Sequence, residues 1–289
     1  MAQAMDYDIK SYYSEDDAHI DWITLLALTG TRYGGNWKSY RPAEMTADAA
    51  RLASGENPEQ ILSGYKRYDY YYAAYSAVLG GFLGEHLREV PRDGQVHLEE
   101  RYGLMAYSPI AEGYGYSHHK DFGNSRSYGY RRRHFGNDLI GSVGTPITAV
   151  EGGVIEELGW NRYGGWRIGI RSHDRLRYYY YAHLRKDHPW PKHLEKGMSV
   201  QGGDVIGYLG MTGYSTKENV NGMRVPHLHF GLQLVFDDAK KDAPTQNWID
   251  VYEIVKLLSR NRATVVRPPD SKDYERKYRL SDYHYISAE

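Results

Sequence analysis

The chain has 289 residues, 41% of them hydrophobic, with 36 Lys and Arg against 37 Asp and Glu for a formal net charge of -1. The apolar share supports a real core in one large domain or two ordinary ones, and the balanced charge leaves no global field to gather nucleic acid, so no nucleic-acid partner is expected. Cysteine is absent, which removes disulfides, thiolate nucleophiles and thiolate metal sites together, so a metal must sit on histidine, carboxylate or carbonyl.

The opening MAQAMDYDIK lacks the apolar centre of a signal peptide, and the sequence has no run of about 18 apolar residues that would span a bilayer. Either the protein stays inside the cell or a targeting segment has been removed. Residues 1–13 read as a tail, and residues 14–90 as a small helical domain. Ser14 and Asp17 have capping-box spacing, and Ile20, Ile23, Leu26 and Leu28 carry a helix to a stop at Gly30. Thr46 opens a helix closing at Gly55, and Asn57-Pro58 opens another. Tyr68, Tyr71, Tyr72, Tyr75, Leu79 and Phe82 keep helical spacing, an aromatic stripe read as core packing.

Residues 91–103 read as a linker. From about 104 the texture changes to short alternating segments broken by glycine: 145-TPITAVEGGVIEEL-158, 166-WRIGIRS-172, 177-RYYYYAHL-184 and 203-GDVIGYLG-210. The 29 tyrosines and 31 glycines fit many short strands joined by tight turns. A β domain is therefore expected over 104–245. A C-terminal helix and tail follow over 246–289, with helical periodicity in 248-WIDVYEIVKLL-258 and a charged RPPDSKDYERKYR stretch lying on the surface or disordered. The expected class is α+β, an all-β antiparallel two-layer domain preceded by a small helical one.

The chemistry concentrates in a few polar positions. In 224-RVPHLHFGLQLVF-236 the two-residue period of a strand puts Leu228, Phe230, Leu232, Leu234 and Phe236 on one face, and His227, His229, Gly231 and Gln233 on the other. In 134-HFGND-138 the even spacing again points His134 and Asp138 the same way. One carboxylate and two histidines make an open site with room for water. A third histidine, His183, ends the strand 177–184.

The ordered set HxGxD, YAHL, GDVIGYLGMTGYST and PHLHF resembles the lysostaphin-type (LytM) zinc metallopeptidases, bacterial enzymes that cut the peptides of peptidoglycan. The similarity covers roughly 104–236, beginning with 109-PIAEGYGYSHHKDFGNSR-126. It implies that His134, Asp138 and His229 hold one Zn2+ per chain, with a water completing the tetrahedron. It further implies His227 as the general base and His183 as the residue that orients the water or stabilises the oxyanion. A tyrosine shortly before the first ligand also supports the oxyanion in such enzymes, and Tyr128 and Tyr130 are both candidates.

The resemblance implies a peptidoglycan endopeptidase, extracellular or in the cell envelope, exported by a leader or membrane anchor absent from this chain. The alternative is a non-catalytic scaffold of the same type, with residues 14–90 docking an envelope protein; such members usually lose ligands or base, and this chain keeps all of them. A non-haem iron oxygenase would also use two histidines and a carboxylate, but hydrolysis explains His183 and His227 better. One departure is visible: relatives often carry an acidic residue after HLHF, where this chain has Gly231. The run 131-RRR-133 beside the first ligand either attracts a carboxylate-bearing substrate or is a solvated basic turn.

Overall fold

The computed structural model describes residues 1–241 and 246–282. The domain boundary expected at 245 and the last seven residues of the expected tail lie outside the described residues. The chain divides into two units, Met1–Gly84 and Glu85–Glu289.

The first unit is helical. Residues expected as a tail form α1 (Ala2–Tyr12), because Ala4, Met5, Asp8 and Ser11 recur at helical spacing and are buried. The Asp8 carboxylate accepts from the backbone N–H of Trp22 at 2.8 Å, which ties α1 to the start of α2 (Trp22–Tyr33). Ser14 and Asp17 do pair, at 3.2 Å, but only in a turn. The cap of α2 is Asp21, which accepts from Ile23 and Thr24 N–H and stabilises the helix by about 1 kcal/mol. Pro42 opens α3 (Pro42–Ala53) a turn earlier than Thr46 would. Asn57 caps the short α4 (Pro58–Ile61) in a full capping box with Gln60.

The tyrosine-rich helix is α5 (Tyr68–Leu79). Leu79 and Phe82 are buried and Tyr68, Tyr71 and Tyr75 half-buried, as core packing requires, whereas Tyr72 points outward. Gly30 does not stop α2: a Cβ there would lie 2.9 Å from Tyr71 Cδ1 and 3.2 Å from Tyr75 Cε2, so the glycine lets α5 approach. The stop is Gly34, in the left-handed region at φ 57°.

The second unit is built from short strands. The expected linker is instead part of a hairpin, β1 (Leu83–Arg92) and β2 (Gln95–Leu104). They turn through Asp93-Gly94, both at positive φ, the two-residue connection that matches strand twist. Then come β3 (Ser117–His118), β4 (Ser125–Arg126), β5 (Arg132–Arg133) and β6 (Asn137–Ile140). They are followed by β7 (Pro146–Thr148), β8 (Gly153–Asn161), β9 (Gly165–Ser172), β10 (Arg177–Ala182), β11 (Ser199–Val200) and β12 (Val205–Tyr208). The last strands are β13 (His227–Leu234), β14 (Asn247–Ile249), β15 (Val265–Val266), β16 (Glu275–Arg276) and β17 (Leu280–Asp282).

The main sheet runs β11-β8-β9-β10-β13-β6-β3, with β14 also on β13. Its pairs are antiparallel. Leu228, Phe230 and Leu232 of β13 are essentially inaccessible, while His227 and His229 line an open cleft, so the alternation expected for this strand holds. Phe236 does not belong to that face: it lies beyond β13 and is 65% exposed. The second layer is the β7–β12 pair, whose Gly207 sits over Ile168 of β9, with Ile168 Cδ1 3.6 Å from where a Cβ would stand.

The region after β13 differs from expectation in two ways. Trp248 belongs to β14, and α6 starts only at Tyr252 (Tyr252–Leu258). The charged tail is packed as far as Asp282. Asn261 donates to Leu104 O and Ala106 O, Arg262 to the carbonyls of Ile110, Ala111 and Tyr114, and Arg276 to Gly202 O. β17 pairs with β1.

Candidate active site

Strand register builds the site. Asp138 of β6 stands directly opposite His229 of β13, which stands opposite Ala182 of β10, so the carboxylate and the imidazole rise side by side from one face of the sheet. Ala182 leaves the space above them open. His134 lies in the turn between β5 and β6, fixed by its own N–H to Asn124 O at 2.9 Å and by Gly123 N–H to His134 O at 2.8 Å.

The three expected ligands converge. His134 Nε2 is 2.7 Å from His229 Nδ1 and 3.1 Å from Asp138 Oδ1, and Asp138 Oδ1 is 3.3 Å from His229 Nδ1. Two imidazole nitrogens and one carboxylate oxygen facing a common point suit zinc. Gly136, between the ligands of HFGND, makes this convergence sterically feasible. A Cβ on it would lie 2.7 Å from His229 Cε1 and 2.6 Å from Phe230 O.

Two residues given no role by sequence reading stand behind the ligands. Asp121 Oδ2 lies 3.2 Å from His134 Nδ1, opposite the converging nitrogen, so His134 presents Nε2. Arg126 donates through Nη2 to Asp121 Oδ2 at 2.7 Å and to Asp138 Oδ2 at 3.1 Å, which holds the second oxygen of the ligand carboxylate away from the centre. Such supports fix ring orientation and ligand basicity.

His183 and His227 face the same space with their tautomers settled by carbonyl oxygens, which only accept. His183 donates Nδ1–H to Thr212 O and His227 donates Nδ1–H to Val225 O, both at 2.8 Å. Each therefore turns a lone pair on Nε2 toward the site. Their rings are 4.8 Å apart between centroids, and His227 Nε2 is 3.8 Å from Asp138 Oδ1. His183 has φ 62°, a strained position for a non-glycine residue, held by its N–H bond to Gly164 O at 2.7 Å. Burial, with His227 and His229 nearby, pushes His183 well below its usual range, so it is neutral.

A cleft of about 660 Å³ opens over these residues. One wall holds Phe135, Tyr180 and Trp248, with the Phe135 and Trp248 rings nearly parallel at 6.2 Å. At Gly231 a Cβ would meet Trp248 Cζ3 at 2.8 Å, so the glycine makes room for this indole. Arg132, Arg133, Tyr163 and Tyr214 also line the cleft. Neither Tyr128 nor Tyr130 lines the cleft. Tyr128 stacks on Tyr214 with centroids 4.6 Å apart, and Tyr130 packs edge-on against Tyr163.

Burial disfavours a charge on His134, yet its bonds to Asp121 and Asp138 outweigh this and raise it to about 9. Burial pushes Asp138 up, but His134 and His229 hold it far below the carboxylate range. Burial lowers His229. A metal must therefore displace one proton, from His134, at neutral pH. Because that group is raised, the proton is present below about 9 and gone above it. Apparent zinc affinity should strengthen about tenfold per pH unit up to about pH 9, measured by competition with a chelator; a flat profile would contradict the assignment.

Two histidines and a carboxylate at one point, with two further histidines facing them from an antiparallel sheet, make a centre that could hold a metal ion. Residues 132–243 match Peptidase family M23, a stretch that holds His134, Asp138, His183, His227 and His229. Over 152 residues the chain is 36% identical to the L-Ala--D-Glu endopeptidase of Bacillus subtilis strain 168, covering 53% of this chain and 44% of that protein. Over 98 residues it is 39% identical to lysostaphin of Staphylococcus simulans, covering 34% of this chain and 17% of that one. The chain thus spans less than half the length of these relatives. The crystal structure of a protein from Ruminococcus gnavus ATCC 29149, assigned as glycyl-glycine endopeptidase lytM, aligns over 90% of both chains with a TM-score of 0.58 at 20% identity. That likeness shows the fold.

Proposed function

We propose that this chain is a zinc-dependent endopeptidase that hydrolyses peptide cross-links or stem peptides of bacterial peptidoglycan, outside the cell or in its envelope. The observation that carries the reading is the convergence of His134 Nε2, Asp138 Oδ1 and His229 Nδ1 beneath two histidines that each present a lone pair. Those three residues would hold the metal, which when bound supplies Lewis acidity to the scissile carbonyl and to a water.

His227 Nε2 takes the proton of the attacking water, while Val225 O steadies the imidazolium through Nδ1–H. The water oxygen bonds to the carbonyl carbon, the C–N bond breaks, and His227 returns the proton to the leaving amine. His183, neutral and with Nδ1–H committed, accepts a hydrogen bond from the water and orients it. Donating to an oxyanion would require the charged form that burial opposes. Tyr128 and Tyr130 serve the oxyanion side only indirectly, by bracing Tyr214 and Tyr163 at the cleft.

The helical unit, with Tyr13, Trp37, Tyr65 and Tyr70 exposed, is assigned here as the docking module for an envelope protein. The catalytic reading is tested by digesting muropeptides of known cross-linking with zinc measured on the same sample. New amino termini should appear, disappear on chelation and return with zinc. An intact substrate set in the presence of about one bound zinc per chain would overturn it.

A further inference from the structure

The cleft is lined by uncharged aromatic rings, among them Phe135, Tyr180 and Trp248, and by the guanidinium groups of Arg132 and Arg133. Other arginines of this unit are already paired: Arg126 is held by Asp121 and Asp138, Arg171 by Glu156, and Arg177 by Glu151 and Asp174. Among the described residues, Arg132 and Arg133 have no carboxylate in ion-pair range, and Asp138 is the only acid among those lining the cleft.

Arg132 is also held in place without being neutralised. Its guanidinium lies over the rings of Tyr163 at 4.7 Å and Tyr214 at 5.3 Å, and one Nη1–H donates to Tyr128 O at 2.9 Å. Ring faces position a cation while leaving its N–H edge free, so four of about five donors remain for something else. A planar fork in a half-buried aromatic setting matches a carboxylate. Arg131 and Arg133 are both exposed, but only Arg133 joins Arg132 in lining the cleft.

We propose that Arg132 and Arg133 bind a carboxylate carried by the substrate peptide beside the scissile bond, so that the site selects anionic peptides over neutral ones. The proposal rests on the peptidase reading above and names the substrate class within it.

The test uses two synthetic stem-type peptides identical except that one carries a free carboxylate next to the scissile bond and the other its carboxamide. The zinc-loaded protein should cleave the carboxylate form with kcat/KM at least about tenfold higher, the scale of one charge-assisted hydrogen bond. Arg132→Gln and Arg133→Gln should each bring that ratio toward one, mainly through KM, while Arg131→Gln leaves it unchanged. Equal kcat/KM for the two peptides, or a ratio that all three variants leave intact or lower alike, overturns the proposal. Calorimetric binding of the same peptides separates it from the peptidase reading. A carboxylate preference in binding that Arg133→Gln removes, without cleavage of either peptide, upholds the arginine wall and defeats the hydrolase. Cleavage of both without preference does the reverse.

Discussion

His227→Ala should keep about one zinc per chain and lose cell-wall hydrolysis by roughly 10²–10⁴-fold, the usual contribution of a positioned base. The three ligand atoms lie 2.7–3.3 Å from one another. His227 Nε2 stands further out, 3.8 Å from Asp138 Oδ1, with its other nitrogen tied to Val225 O. Removing the ring takes away a proton acceptor and leaves the donor set whole. Zinc analysis and wall digestion on one preparation decide the matter: loss of the metal would make His227 a ligand, and full activity would remove it from the chemistry.

Gly136→Ala should abolish both metal binding and hydrolysis while touching no polar group. The glycine does not occupy the left-handed region, so the effect is one of space alone. The added Cβ would stand 2.6 Å from Phe230 O, 2.7 Å from His229 Cε1 and 2.8 Å from His229 Nε2. The carbonyl belongs to a central strand and cannot yield cheaply, so the His229 ring must move. Zinc affinity should fall by more than the roughly 10–100-fold typical of losing a ligand's support, and the fold should lose about 1–3 kcal/mol from overpacking. An unchanged zinc affinity in the folded variant would refute this account of the glycine.

Much of this site was legible in the sequence, because the strand period of two orients side chains without knowledge of neighbours. His227 and His229 against Leu228 and Phe230 follow from alternation, and the cleft is lined by the two histidines and by neither apolar residue. What alternation cannot supply is register. Nothing in either segment says that Asp138 meets His229 and not its neighbour, nor that β4 lies against β5 so that Arg126 reaches Asp138. Asp121 and Arg126 sit in a stretch without periodicity, and their roles exist only once that stretch is folded back.

The misreadings have physical causes as well. Gly30 and Gly231 look like breaks in a pattern, but both are places where a ring from a distant segment needs the volume of a missing Cβ. Trp248 fits a helical stripe in sequence and is taken into the sheet because the Leu232–Leu234 half of β13 offers an unpaired edge. The tail was expected on the surface or disordered because it is charged. Its charges are in fact used one by one: Asp273 contacts His188 at 2.7 Å and Arg276 binds Gly202 O. The Asp93-Gly94 turn was a readable hairpin signal inside what composition suggested was a linker.

The pairing of β17 with β1 matches His86 to Asp282, Leu87 to Ser281 and Arg88 to Leu280. The start of the β-rich unit and its last described residues therefore lie at the same end of one antiparallel ladder. A force applied between them would peel that ladder open bond by bond, as a zipper, before any tension reached β6 or β13. The histidines and the carboxylate ride on strands outside the line of load, and their spacing would survive strain on the chain that already separates β17 from β1.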